Sequence, residues 1–178
     1  MTPKRALSAP TEPVVVITQT LAELALASSR ESDRKRMILP FHKSEDALLH
    51  RMFNALQPGT YVQPHRHLRA PKSEVFIVLR GRADCLIFDG EGHIVMAPQL
   101  EAGGRCFGID IAAGHFHSFL VRAPDTLLYE VKEGPYTHVD DKDFAPWAPA
   151  ENTPFVAAYV ASLEDELVRF RAAEAGRV

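Results

Sequence analysis

Cysteine, excess basic charge and long apolar segments are all scarce in this chain. Of its 178 residues only Cys85 and Cys106 are cysteines; they form no Cys-x-x-Cys pair, and two free thiols are favoured over a disulfide. The net charge is -3, and the basic cluster at residues 34–36 is offset by nearby acidic residues. No stretch is long enough for a membrane span or a signal peptide. We therefore expect a cytoplasmic protein without a nucleic-acid or membrane partner.

The chain has enough apolar material for one domain, since 46% of its residues are hydrophobic. We predict a disordered start over residues 1–13 and a single domain over residues 14–178. The β-branched residues 14–17 predict a strand. Residues 20–23, Thr-Leu-Ala-Glu, have the pattern of a capping box, which predicts an N-terminal helix extending to about Asp33.

Short apolar runs alternate with evenly spaced turn signals over residues 47–132. This pattern is typical of an antiparallel β-barrel. Residues 133–154 are rich in proline and acidic residues and are expected to wrap the barrel surface. A second capping box at Ser162 predicts a C-terminal helix, with an apolar stripe that docks on the domain (Leu163, Leu167 and Phe170). The expected fold class is mainly β, with a helix at each end.

Four side chains that commonly bind metals fall in or beside the predicted strands. His65 and His67 project to the same face of a strand, because side chains alternate along it. Glu74 adds a carboxylate and His117 a third imidazole, with His115 as the competing fourth ligand. Three neutral imidazoles and one carboxylate suit one divalent transition metal, Fe, Mn, Ni, Co or Zn, and disfavour Ca or Mg.

In the order and spacing of these residues the chain resembles the cupin superfamily. The first cupin motif is matched by Gly59, His65-x-His67, Glu74 and Gly81, and the second by Gly114-x-x-His117. The resemblance implies a double-stranded β-helix, or jelly-roll, barrel with its core at residues 47–132. It also implies that His65, His67, Glu74 and His117 hold the metal, because the Gly-x-x-His register favours His117 over His115. Six residues separate His67 from Glu74, which is longer than usual, and residues 68–73 can absorb the difference as a loop.

A more extensive resemblance covers much of the chain. Its segments are similar to the WbuC-type cupin metalloproteins of bacteria (residues 56–62, 64–67, 76–81, 130–136 and 141–149). That family is associated with surface-polysaccharide (O-antigen) gene sets, so the resemblance implies a sugar or nucleotide-sugar ligand. Cupins are commonly dimeric, which implies a homodimer; residues 14–17 and the C-terminal helix could pair across a two-fold axis.

Six polar residues are candidates for ligand binding: Arg51, Asn54, His115, Glu130, Lys132 and Tyr136. Arg51 and Asn54 precede the first motif. Glu130 and Lys132 share one face of a strand, which either meets a polar ligand or forms an outward salt-bridged surface. Tyr136 is suggested mainly by the family resemblance. His115 is expected at the mouth of the site, as a residue that contacts the metal ligands, as a proton-transfer group or, most simply, as a solvated residue.

The reaction, if there is one, is left open by the sequence. Four protein ligands on an octahedral ion leave two positions for a small oxygen-rich molecule. A metal-dependent sugar isomerase or epimerase would need an acid–base pair beside the metal, whereas a dioxygenase would need Fe(II) and an apolar oxygen pocket. A non-catalytic ligand-binding or sensor module and a barrel with a purely structural metal are the alternatives from other classes.

Overall fold

A computed structural model of the chain describes residues 5–68, 71–136 and 141–176. The elements follow one another in the order α1 (Gln19–Glu31), β1 (Arg36–Pro40), β2 (Leu49–Leu56), β3 (His65–Arg66), β4 (Glu74–Arg80), β5 (Arg82–Phe88), β6 (Ile94–Met96), β7 (Gln99–Glu101), β8 (Gly108–Ile111), β9 (Phe116–Val121), β10 (Thr126–Glu133), β11 (Asp143–Phe144) and α2 (Val156–Ala175). The expectation of a mainly β chain with a helix at each end is confirmed. Within the described ranges, neither helix combines the length and apolar character that a membrane span requires.

The strands form two sheets. The first sheet has the order β1-β2-β10-β4-β8 and the second the order β11-β3-β9-β5-β6, with β7 also pairing with β5. Neighbouring strands are antiparallel, as the turn spacing predicted. Both sheets extend beyond residues 47–132, because β1 precedes that range and β11 follows it.

The main core lies between the two sheets. Phe76 and Val78 of β4 meet Cys85 of β5 and Phe119 of β9, and all four side chains are buried. Burial of each large apolar side chain contributes roughly 1.5–3 kcal/mol relative to exposure. The core therefore fixes the spacing between β4 in one sheet and β9 in the other, which are the strands that carry Glu74 and His117.

The N-terminal residues follow a different course from the predicted one. Residues 14–17 form no strand and do not pair with any described strand, so Val14 and Val16 are exposed. The helix begins at Gln19, because the side chain of Thr18, rather than that of Thr20, caps it by accepting from the Leu21 N–H. Helix α1 packs Ala22, Ala25 and Leu26 on the outer face of the first sheet.

The predicted disordered start, residues 1–13, is described from Arg5 onward, and residues 1–4 lie outside the described part. Ala6 forms a parallel bridge with Ile38, and the Leu7 N–H donates to the Ile38 carbonyl oxygen at 2.8 Å. Lys43 Nζ donates to the Glu12 carbonyl oxygen at 2.8 Å. This segment therefore contacts β1 and the loop after it.

Helix α2 covers the outer face of the second sheet. Leu163 and Leu167 are buried there and Phe170 packs beside them, as the predicted stripe required, although the helix begins at Val156 rather than near Ser162. Charged contacts anchor it: Arg122, which directly follows β9, donates to Glu164 at 2.6 and 2.7 Å. The docked helix leaves the opposite, inner face of that sheet free to line the barrel interior.

Candidate metal centre

Three strands bring the four predicted metal ligands together inside the barrel. His65 lies on β3 directly opposite His117 on β9. His67 follows β3, and Glu74 is the first residue of β4. All four side chains are buried, and one ligand atom from each lies within 4.8 Å of the others. The long loop between His67 and Glu74, of which residues 69–70 lie outside the described part, leaves Glu74 within the cluster.

Backbone carbonyl groups orient the three imidazole rings. His65 Nδ1 lies 2.9 Å from the Gln63 carbonyl oxygen, and His117 Nδ1 lies 3.0 Å from the carbonyl oxygen of His115. His67 Nδ1 contacts the carbonyl oxygen of Asp141 in the same way. A carbonyl oxygen can only accept, so each Nδ1 carries the ring hydrogen and each Nε2 is left as an electron-pair donor. This is the tautomer that binds a metal through Nε2.

The carboxylate of Glu74 faces two of these Nε2 atoms. Oε1 lies 3.2 Å from His67 Nε2, and Oε2 lies 2.9 Å from His117 Nε2. With both hydrogens on Nδ1, acceptor atoms face each other across these gaps. His67 Nε2, His117 Nε2 and Glu74 Oε2 are buried and have no hydrogen-bond partner among the described residues. Buried acceptors without a donor are costly, and a divalent cation between them would satisfy all of them. The residues present therefore fit a metal ion.

The protonation states at this cluster also suit metal binding. Burial alone would raise the pKa of Glu74, but hydrogen bonds and positive charge from His117 and His67, when their Nε2 atoms carry hydrogen, outweigh it and hold that pKa well below its usual range; a metal cation would take the place of those hydrogens. Burial, reinforced by the charge of Lys142, lowers the pKa of His65 well below its ordinary value. An ionised carboxylate and a neutral imidazole are the forms in which these side chains bind metals.

A cavity of about 630 Å³ opens onto the cluster. His65, Glu74 and His117 line it, whereas His67 lies behind its wall. Apolar side chains from both sheets form one part of the lining (Met52, Leu56, Phe76, Phe119 and Leu128). Polar side chains form another part (Asn54, Glu130, Lys132, Tyr136 and Lys142). The candidate metal centre is thus accessible from this cavity.

Four of the six predicted ligand-binding residues line this cavity. Asn54 Nδ2 donates to Glu130 Oε2 at 2.6 Å, and burial together with the charge of Glu74 raises the pKa of Glu130. Lys132 Nζ lies 3.0 Å from Asp141 Oδ2 and 3.8 Å from Glu74 Oε1. Burial would lower the pKa of Lys132, but the carboxylates of Glu130, Glu74 and Asp141 raise it. Burial raises the pKa of Tyr136, the fourth residue.

Arg51 and His115 are not brought to the cavity. Arg51 lies three residues before Asn54 on β2, so strand alternation points it to the opposite face, beside Phe41 and Tyr129. His115 is exposed, and its Nδ1 lies 3.2 Å from the Ala112 carbonyl oxygen. His117 rather than His115 is therefore the residue within the cluster.

Sequence reasoning missed Lys72, Asp141 and Lys142. Lys72 and Asp141 form a buried ion pair of 2.6 Å beside His67, and Lys142 lines the cavity. Lys72 lies in the loop before β4, and Asp141 and Lys142 lie directly before β11, in a segment whose family resemblance gave them no role. Their position depends on how the C-terminal segment pairs with β3, which hydrophobic periodicity does not reveal.

Two antiparallel sheets around a buried cluster of three histidines and one glutamate define a protein of the cupin fold. A family model described as a domain of unknown function, DUF6016, matches residues 17–100. No curated protein matches the chain.

Solved structures resemble part of the chain. TT1209 from Thermus thermophilus has a TM-score of 0.50 and 19% identity, covering 67% of this chain and 97% of that one. CapF from Staphylococcus aureus, a capsular polysaccharide assembling protein, has a TM-score of 0.49 and 18% identity, covering 60% of this chain and 28% of that one. KdgF from Halomonas sp. has a TM-score of 0.43 and 18% identity, covering 57% and 79%. At such identities the likeness concerns the fold alone.

Proposed function

We propose that this chain is a metal-binding cupin protein that takes up a small oxygen-rich molecule beside its metal. His65, His67, Glu74 and His117 would hold one divalent transition metal, Fe, Mn, Ni, Co or Zn. The observation that carries the proposal is the set of buried Nε2 and carboxylate acceptors that find no donor in the described part of the chain, two of which, on Glu74 and His117, belong to residues that line the cavity. Its volume of about 630 Å³ lies within the range of small-molecule sites.

The bound ion would accept oxygen ligands and polarise them as a Lewis acid. The chain's own residues supply the rest of the site. Asn54 and Glu130 offer amide and carboxyl groups to ligand hydroxyls, and the apolar wall around Phe76 and Phe119 limits water. Glu130 is buried, lines the cavity and has a raised pKa, so it is suited to hold or transfer a proton. Glu130 together with Lys132, on the same face of β10, supports a sugar isomerase or epimerase.

The ligand class rests on the sequence resemblance. The similarity of several segments to WbuC-type cupins supports a sugar or nucleotide-sugar of surface-polysaccharide metabolism. Hydroxyl-rich ligands also match the mixture of donors and acceptors at Asn54, Glu130 and Lys132. A dioxygenase is the second candidate, favoured by the apolar side chains of Met52, Phe76 and Phe119 along the same cavity. A sensor that binds without turnover would use the same contacts.

Calorimetry with sugars, nucleotide-sugars and hydroxy acids tests the proposal, using metal-loaded and metal-free protein. We expect binding that requires the metal and is weakened by Asn54→Ala, which removes a cavity hydrogen-bonding group. Arg51→Met is the matched control, because Arg51 lies on the same strand but outside the cavity. No binding by any compound, or equal binding without metal, would contradict the open site. Turnover of a bound sugar, or oxygen consumption with Fe(II), then separates the two enzyme classes from a sensor.

A homodimer is part of the proposal. Strand β8 is an edge strand of the first sheet, and Leu79 and Phe107 are about half exposed beside it. Unpaired strand edges with apolar neighbours are surfaces at which chains associate.

A further inference from the structure

A short C-terminal segment supports the strand that carries the first histidine. We call residues 141–145 the clasp. Asp143 and Phe144 pair with Arg66 and His65, and the Ala145 N–H donates to the Pro64 carbonyl oxygen at 2.9 Å. Strand β3 has only two residues, and its pairing with β9 is the single pair between His65 and His117. The clasp therefore makes much of the backbone contact that holds β3 in place.

Asp141 begins the clasp and is only 1% exposed. Its carbonyl oxygen accepts from His67 Nδ1. Its carboxylate lies between two buried ammonium groups, at 2.6 Å from Lys72 Nζ and 3.0 Å from Lys132 Nζ. Lys72 also donates to the Pro135 carbonyl oxygen, and Lys132 Nζ lies 3.8 Å from Glu74 Oε1. One residue thus joins a proposed metal ligand to a buried ion-pair network.

We propose that Asp141 is a positioning residue for the metal: its ion pairs with Lys72 and Lys132 fix the peptide carbonyl that orients His67. The inference rests on the proposed function in one respect, that His67 is a ligand. The clasp and the metal are then coupled. Docking of the clasp orients His67 for binding, and by thermodynamic linkage the bound metal holds the clasp on β3.

The buried charges give the coupling its strength. Asp141, Lys72 and Lys132 are all nearly inaccessible to water, so removing Asp141 leaves two buried ammonium groups without their shared carboxylate, and removing Lys72 leaves that carboxylate with one ammonium partner instead of two. The clasp can relieve that imbalance by leaving its place, and the carbonyl of Asp141 then no longer holds the ring of His67. Residues that hydrogen-bond metal ligands typically change metal affinity by about 10- to 100-fold when they are altered.

A change at Lys72 separates positioning from a simple charge effect. Lys72→Met removes a positive charge near the site, which by charge alone would strengthen the binding of a cation. If Asp141 positions His67, Lys72→Met should instead weaken cation binding, because Asp141 loses one of its two lysine partners. Asp141→Asn does not make this distinction, since the loss of a negative charge and the loss of positioning both weaken binding.

The experiment titrates Co²⁺ into metal-free protein and follows both affinity and the visible absorption of the bound ion. We expect Asp141→Asn and Lys72→Met each to weaken Co²⁺ binding by roughly tenfold or more and to change the absorption bands. Asp125→Asn is the matched control, because it breaks an ion pair with Arg30 that does not contact the site, and it should behave as the unaltered protein. Hydrogen exchange at the Ala145 amide should slow on Co²⁺ binding, and less so in Asp141→Asn and Lys72→Met.

Unchanged affinity and absorption in Lys72→Met, or tighter binding, would overturn the inference. Equal protection of the Ala145 amide in all variants would overturn the coupling. Circular dichroism checks folding, and if Asp141→Asn does not fold, Lys72→Met alone decides. Failure of the unaltered protein to bind Co²⁺ is a separate result, because it refutes the metal site itself.

Discussion

At the scale of single residues, three imidazole rings hold their hydrogens on the side away from the cluster. The carbonyl oxygens that do this belong to Gln63, His115 and Asp141. Their role depends on the backbone and not on residue type. A substitution at these positions would therefore matter only if it moved the peptide.

Gly81 gives a prediction at this scale. It joins β4 to β5 with φ +76°, and an added Cβ would lie 2.8 Å from the Thr126 Cα. Gly81→Ala should destabilise the protein by the strain of positive φ, about 1–2 kcal/mol, and by about 1–3 kcal/mol more for the clash. Urea denaturation measures the loss. Gly103→Ala is the control, since Gly103 has φ +72° and nothing within 4 Å, so equal losses would contradict the steric explanation.

Residue patterns in the sequence identified the candidate metal ligands but not all of the residues that line the cavity. His65 and His67 follow from strand alternation, and Glu74 and His117 from cupin motif order. Arg51 was grouped with Asn54, although an odd separation on one strand places them on opposite faces. Asp141 could not be found in this way, because its contact with His67 is made by its carbonyl group.

At the scale of elements, each terminal helix covers the outside of one sheet. The C-terminal helix was predicted from a capping box at Ser162, which lies inside the observed helix, and Leu163 and Leu167 of its predicted apolar stripe are buried. The prediction of a strand near the N-terminus was wrong. The β-branched residues 14–17 favour extended backbone, but they pair with no described strand. Pairing between distant segments, such as β11 with β3, lies beyond local patterns.

The docking of α2 can be tested with two neighbouring residues. Leu167 is 2% exposed and packs against the second sheet, so Leu167→Ala should cost about 2–3 kcal/mol through lost burial and a cavity. Val168 is 68% exposed, and Val168→Ala should change stability by less than about 0.5 kcal/mol. Chemical denaturation of both variants checks the difference. Similar small effects would mean that α2 contributes little to the fold.

At the scale of the whole molecule, a cytoplasmic location and a homodimer stay predictions. We expect light scattering at micromolar concentration to report twice the chain mass of 19.8 kDa. Replacing Phe107 by Asp should shift the protein toward the monomer, because the exposed ring lies beside the edge strand β8. A monomeric unaltered protein would refute the dimer. A dimer that persists in the variant would show that the interface does not involve Phe107.

The central claim is that one divalent transition metal is held by His65, His67, Glu74 and His117. Elemental analysis of the purified protein after dialysis tests it most directly. The account predicts about one equivalent of metal in the unaltered protein and in His115→Ala, and almost none in His67→Ala or His117→Ala, because each of these removes a buried ligand atom. Stoichiometric metal in the double variant His65→Ala/His67→Ala would contradict the claim. Loss of metal in His115→Ala with retention in His117→Ala would contradict the choice of the fourth ligand.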